Sequence, residues 1–432
     1  MRRSAGVGMN FRCWTRVLGV LVLGLIGISC GDQYRPVAIP IVGAPPDPAA
    51  FHFVLVLSDN GTHDPGASSR LDVSGDTNIG VARLGLGPAH AALTPNGSRV
   101  YAANSLEDTV SSYAPGTATS VTTTSLPAGS TPIFVHTTEN GTVYVANFGT
   151  GTVAAISTAN NVVSKTIRVD PTQLPPDATS KPVALAETPD GKKLYVVNQG
   201  SGSVTSINTL DGSVNGNQTI PTGATPVWAV ARSDSARVYV LNSGSGTISV
   251  VDTSSDLVVG SVTVGAGANY MVYDSKLNRL YLTNPAANTL TAVSIAADPP
   301  AVLFTVPVAA SPTTVASLPD GSRAYVASVS LSGGNATSQL TVVNASDGGV
   351  RTVIPLSSVP AACGTGRFEL FTAASADSSR VYVGNCDAGN THIIRTSDDT
   401  KVLDIPAPLS AVTPPNGGNP RPQNPVFVLA GP

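Results

Sequence analysis

Between residues 51 and 432 short apolar runs alternate with clusters of Gly, Ser, Asn, Asp and Pro, and the pattern keeps returning. "KLYVVNQGSGSVTSI", around Tyr195, shows the unit. An apolar run ends in Asn, a Gly-Ser turn follows, and a second run alternates apolar with small polar residues. The same unit surrounds Tyr101, Tyr144, Tyr239, Tyr281, Tyr325 and Tyr382, with successive tyrosines 43, 51, 44, 42, 44 and 57 residues apart. Alternation with period two, in runs bounded by turn residues, predicts strands. Each repeat reads as four of them. In residues 224–265, "TPVWAVARS" is strand A, "RVYVLN" strand B, "TISVVD" strand C and "LVVGSVTVG" strand D. "PDG" or "PNG" often closes the A–B hairpin, with Gly supplying a positive φ. A period of this length without helix patterning predicts one four-stranded propeller blade per repeat.

No such blade can bury both of its faces alone, so a stack closed into a ring must supply the core and hide the edges. The recurrent Tyr is expected to pack between neighbouring blades, with its hydroxyl reaching a partner. The Asn ending each strand B is expected to close the B–C turn through its side chain or by adopting a left-handed backbone.

"YVAN", "YVVN", "YVLN" and "YVGN", together with the "PDG" turn, resemble the YVTN-type β-propeller repeats of bacterial and archaeal surface proteins. The resemblance covers nearly all of residues 51–432 and implies an all-β fold of four-stranded antiparallel blades. It implies little about function, because propellers host many unrelated roles. Residues 88–410 hold seven complete A-B-C-D units, while the stretch before them supplies strands B, C and D without an A. The C-terminal "PVFVLAGP" matches strand A. The expected closure therefore has the last strand completing the first blade, giving eight blades. Seven is the alternative, since lactonase-like propellers usually close with that number.

The N-terminus reads as an address. Arg2, Arg3, Arg12 and Arg16 precede the apolar run "VLGVLVLGLIGIS", which is too short to span a bilayer as a mature helix. The run ends at Cys30 in "GISC", which resembles a bacterial lipobox. The resemblance implies a lipoprotein signal peptide over 1–29 and acylation of Cys30. Gly31 after the Cys favours an outer-membrane lipoprotein facing the periplasm or the cell surface. Residues 30–50, with Pro36, Pro40, Pro45, Pro46 and Pro48, read as an extended tether. Residues 51–432 are expected to form a single propeller domain.

Composition removes some partners. Charged residues make up 12% of the chain and the net charge is −3, which offers nothing to attract nucleic acid. The membrane is expected as a partner only through the lipid. Candidate ligand-binding residues are sought on the face carrying the D–A and B–C connections: His63, Asp64, His90, Lys181, Tyr270, Arg367 and Asp387. The five His include none at short ligand spacing, and Cys-x-x-Cys-His, Gly-x-Ser-x-Gly and phosphate-loop patterns are missing. No metal, cofactor or catalytic residue is assigned. Cys363 and Cys386 flank strands A and B of one blade on the same face, and export would favour a disulfide between them. The reading that follows is a lipid-anchored envelope module that binds or scaffolds a protein, peptide or glycan and is not an enzyme. The alternative is a lactonase-like hydrolase using the polar mouth of the ring.

Overall fold

Eight antiparallel four-stranded sheets make up the described part of the chain. The computed structural model describes residues 53–431 apart from 62–63, 118–119, 175, 178, 364–369 and 413–418. The leader, Cys30, the tether, His63 and Arg367 lie outside the described residues. Blade 1 is composite. Its strands B, C and D are Phe53–Asp59, Ala67–Asp72 and Thr77–Arg83, and its inner strand is the C-terminal Asn424–Ala430. Leu55 pairs with Leu429 and Val56 with Val428, and the Gly431 N–H reaches Phe53 O at 3.1 Å. Blades 2 to 8 follow in chain order, each beginning with its own inner strand: Pro88–Leu93, Pro132–Thr137, Pro182–Glu187, Pro226–Ala231, Tyr270–Asp274, Pro312–Ser317 and Leu370–Ala374. The eight-blade expectation and its C-terminal closure are both met.

Burial explains why the middle strands read as nearly continuous apolar runs. Arg237–Asn242 is buried at every position after its first residue, because both faces of its blade are covered by neighbours. The outer strand Leu257–Thr263 is exposed or half-buried throughout.

The recurrent Tyr and its neighbour two residues upstream join successive blades. Tyr101, Tyr144, Tyr195, Tyr239, Tyr281, Tyr325 and Tyr382 are all 1% exposed or less. Tyr101 Oη donates to Asn161 Oδ1 at 2.8 Å, Tyr325 Oη to Asp399 Oδ1 at 2.5 Å, and Tyr195 Oη to Asp256 Oδ1. Each acceptor sits in the C–D turn of the next blade and has a left-handed backbone. The basic residue ahead of the Tyr joins in. Lys193 Nζ lies 2.7 Å from Asp256 and Arg323 Nη1 2.6 Å from Asp399. Arg380 Nη2 lies 3.2 Å from Asp76 and so ties blade 8 to blade 1.

The Asn at the end of strand B acts through its side chain and keeps a negative φ. Asn104 Nδ2 donates to Thr109 and Ser111 hydroxyls at 2.9 and 2.8 Å, and Asn242 Nδ2 to Thr247 and Ser249 at 3.2 and 2.9 Å. In blade 8 the position held by Ser111 and Ser249 elsewhere is His392, fully buried. Its Nε2 accepts from Asn385 Nδ2 at 3.0 Å and its Nδ1–H faces Asp404 Oδ1 at 2.7 Å. Asp404 is also held by Lys401 at 3.0 Å.

Burial lowers the His392 pKa below its ordinary value of 6.5, against the opposing pull of Asp404. The unfolded chain therefore binds the proton more readily than the folded one. The stabilisation is complete above the unfolded value and is lost as pH falls through the lower folded value. Urea unfolding between about pH 8 and about pH 5 should show stability falling with acidity, and His392→Ser should flatten that slope. Equal slopes in the two proteins would refute the assignment.

Candidate active site

Register sets what lines the axis. The third residue of the inner strand of blade 2, His90, pairs with the residue before the strand-B Asn, after a bulge at Ala89. Phe134, Ala184, Trp228 and Thr314 occupy the same register in blades 3, 4, 5 and 7. Tyr270, Phe371 and Phe427 do so in blades 6, 8 and 1. Six of the eight are aromatic, and they touch in a closed circuit. Centroid separations are 3.8 Å for His90–Phe134, 5.6 Å for Phe134–Trp228 and 4.7 Å for Trp228–Tyr270. The circuit closes with 5.7 Å for Tyr270–Phe371, 4.5 Å for Phe371–Phe427 and 4.4 Å for Phe427–His90. Two contacts span the blades that offer only Ala184 and Thr314. A ring of eight inner strands leaves a wider centre than a ring of seven, and these large side chains fill it at close packing.

Two residues further along each inner strand, on the same face of the pleat, lies the next layer. It consists of Ala92, His136, Ala186, Val230, Val272, Ala316, Ala373 and Leu429. His136 is the one titratable member. Its Nε2 lies 2.8 Å from Glu187 Oε2 of the neighbouring blade, and the two side chains are 29% and 13% exposed. A carboxylate only accepts, so Nε2 carries a proton, and in the neutral ring Nδ1 is then the acceptor. The second carboxylate oxygen, Oε1, is buried without a hydrogen-bond partner. A His held by a Glu, with its other nitrogen left as acceptor, is an arrangement suited to taking a proton from water. It stands toward the A–B turns, opposite to the face where the sequence candidates were sought.

Those candidates are distributed as follows. His90 and Tyr270 belong to the aromatic circuit. His90 Nδ1 faces the Val135 N–H at 3.4 Å, and burial pushes the Tyr270 phenol well up. Lys181 is exposed, has a left-handed φ of 51° at the entry to its inner strand, and lies 5.7 Å over the Phe148 ring. Asp387 Oδ1 accepts from the Ala362 and Cys363 N–H groups, both at 2.8 Å. That capping holds the segment in which Cys363 and Cys386 form the expected disulfide, with Cα atoms 6.0 Å apart. Asp64 is buried, accepts from Asn60 Nδ2 at 2.9 Å and lies 3.7 Å from Arg421. Among the described candidates, His90 and Tyr270 share the aromatic circuit, while Asp64, Lys181 and Asp387 make the local contacts given above.

The His136–Glu187 pair escaped sequence reading because 51 residues separate its members. One signal was present. At the His136 position the other repeats carry Ala, Val or Leu, and at the Glu187 position Leu93, Thr137, Ala231, Tyr273, Ser317, Ala374 and Ala430 carry no charge. Two polar exceptions on adjacent blades mark the pair. Among the described residues, no group of three or more His, Cys, Asp or Glu is placed to hold a metal ion.

Residues 77–257 match the family described as "Lactonase, 7-bladed beta-propeller", a segment running from the outer strand of blade 1 to that of blade 5. Both His136 and Glu187 fall inside it. Among solved structures, the chain is similar to the periplasmic gluconolactonase PpgL of Pseudomonas aeruginosa. They share 15% identity and a TM-score of 0.55, with 71% of this chain and 96% of that one covered. A putative 6-phosphogluconolactonase from Bacteroides uniformis is 14% identical with a TM-score of 0.51, over 88% of this chain and 99% of that one. The dihydro-heme d1 dehydrogenase NirN superposes with a TM-score of 0.63 at 12% identity, over 82% of this chain and 73% of that one. At such identities the structural likeness speaks for the fold. No curated protein matches the chain significantly. The family match overturns the expectation of a non-enzymatic binding or scaffold module and favours the hydrolase alternative.

Proposed function

We propose that this chain is a lactonase-like hydrolase acting at the His136–Glu187 pair. The observation that carries the reading is the lactonase family match over residues 77–257, which contains His136, the only titratable residue in the layer beside the aromatic circuit, and its partner Glu187. A lactone enters over the aromatic rings. Water between it and His136 gives its proton to Nδ1 while the oxygen attacks the carbonyl carbon. Glu187 holds the ring orientation and stabilises the imidazolium that forms. As the tetrahedral intermediate collapses, the ring C–O bond breaks and the imidazolium returns the proton to the departing alkoxide. The product is an open-chain hydroxy acid. The test is proton release from a panel of aldonolactones, with and without phosphate, followed with a pH indicator and the full chain. Acceleration of at least one lactone above the buffer rate is expected, and the absence of any acceleration would sink the reading.

The YVTN-like repeats, the Arg-rich leader and "GISC" support an exported enzyme lipid-anchored at Cys30. Metabolic labelling with a fatty-acid analogue should mark the wild-type chain and leave Cys30→Ser unmarked. Label retained by the variant would refute the anchor.

A further inference from the structure

At one seam the basic residue of the clasp is left unanswered by the described residues of the next blade. Wherever a basic residue opens strand B elsewhere, its charged end is answered by the next blade. Lys193 meets Asp256 and the Thr253 carbonyl, the latter at 2.6 Å, while Arg237 meets Asp298 at 3.0 Å. Arg279 meets the Ala345 carbonyl, Arg323 meets Asp399, and Arg380 meets Asp76. Arg99 opens strand B of blade 2 in the same way, but the C–D turn of blade 3 carries Asn161 where blades 5, 8 and 1 carry Asp256, Asp399 and Asp76. Asn161 Oδ1 is taken by Tyr101, and the Arg99 guanidinium has one hydrogen bond, to Ser112 Oγ at 3.3 Å.

Thr158 departs from the pattern as well. Its counterparts Thr253 and Thr396 donate their hydroxyls to the A–B turn carbonyls of Ser235 and Ser378, both at 2.6 Å, whereas Thr158 makes no such bond. Arg99 and Thr158 line a cleft of about 150 Å³ between blades 2 and 3, open on the A–B face, together with Asn96, Ser98, Thr138 and Glu139.

We propose that this cleft binds a small hydroxylated carboxylate whose anionic group pairs with the Arg99 guanidinium and supplies the negative charge that Asn161 does not. A planar guanidinium matches a carboxylate with two parallel hydrogen bonds. The remaining lining of hydroxyl, amide and carboxylate groups offers donors and acceptors to alcohol groups and little apolar surface. The seam is thus completed by a ligand where the other seams are completed by the chain itself. The argument rests on the repeat geometry and is independent of whether the chain hydrolyses lactones.

Titration calorimetry of the full chain with gluconate, and with glucitol as the same polyol without the carboxylate, tests this. Gluconate should bind and glucitol should not. Arg99→Gln should weaken gluconate binding roughly tenfold or more by removing the ion pair. Asn161→Asp should weaken it comparably while raising the melting temperature, because the restored aspartate occupies the guanidinium as at the other seams. Gluconate held at another site, such as the His136–Glu187 pair, would bind both variants as it binds wild type. That result, equal binding of glucitol, or no gluconate binding to the folded wild-type chain would each overturn the proposal.

Discussion

Deleting residues 424–432 is expected to abolish the folded ring, not merely to trim its end. The lost strand carries Phe427 and Val428, 5% and 2% exposed, and Phe427 closes the aromatic circuit between Phe371 and His90. Truncating a buried Phe alone costs about 3–5 kcal/mol. The deletion also strips the ladder from Phe53–Asp59, a strand buried along almost its whole length, and exposes it as an apolar edge. Summed, these losses reach the roughly 5–15 kcal/mol by which domains are stable at all. Near-ultraviolet circular dichroism should lose its fixed signal, and gel filtration should show aggregates. A synthetic peptide of residues 420–432 added in trans should restore part of both. A truncated chain that stays monomeric and melts at the wild-type temperature would show that closure does not depend on this strand.

Replacing His136 by Asn, or Glu187 by Gln, is expected to cut kcat for lactone hydrolysis with a smaller change in KM. Removing a positioned general base typically costs about 10²–10⁴-fold in rate. His136→Asn removes the proton acceptor. Glu187→Gln keeps shape but presents an amide that does not stabilise an imidazolium, and it leaves the ring free to adopt the wrong tautomer. The two single losses should not multiply in the double variant, because the residues act as one unit. Lys181→Ala, on the opposite face, should retain wild-type turnover. Unchanged turnover in both His136 and Glu187 variants, with folding verified by circular dichroism, would move the chemistry elsewhere in the ring.

Much of the fold was legible in the repeat. Tyr195 and its equivalents, the Asn after them and the "PDG" turns are local signals: every Tyr ring is buried as expected, though the Tyr281 and Tyr382 hydroxyls find no hydrogen-bond partner among the described residues. The unmatched strand A at the C-terminus, read against three strands without an A at the start, was enough to anticipate the composite blade. Legibility faded at the axis. His90 looked like a residue at a polar mouth, yet it stacks on Phe134 at 3.8 Å within an aromatic layer. Its role depends on which side chains seven other strands bring to the same height. Asp64, Lys181 and Asp387, each plausible as a ligand group by type, are engaged with Asn60, Phe148 and the backbone near Cys363.

The sequence by itself determined the strand units and favoured eight blades closed by the C-terminal strand over seven, because hydrophobic period and turn chemistry act over a few residues and repeat. Only the tertiary structure decided which polar side chains face one another. His136 finds Glu187, and Arg99 lacks an aspartate at 161, through contacts between successive blades. Such contacts join residues some 50 to 60 positions apart, 51 for His136 and Glu187 and 60 for Tyr101 and Asn161. Ring closure sets the distance between them, and no local pattern encodes it.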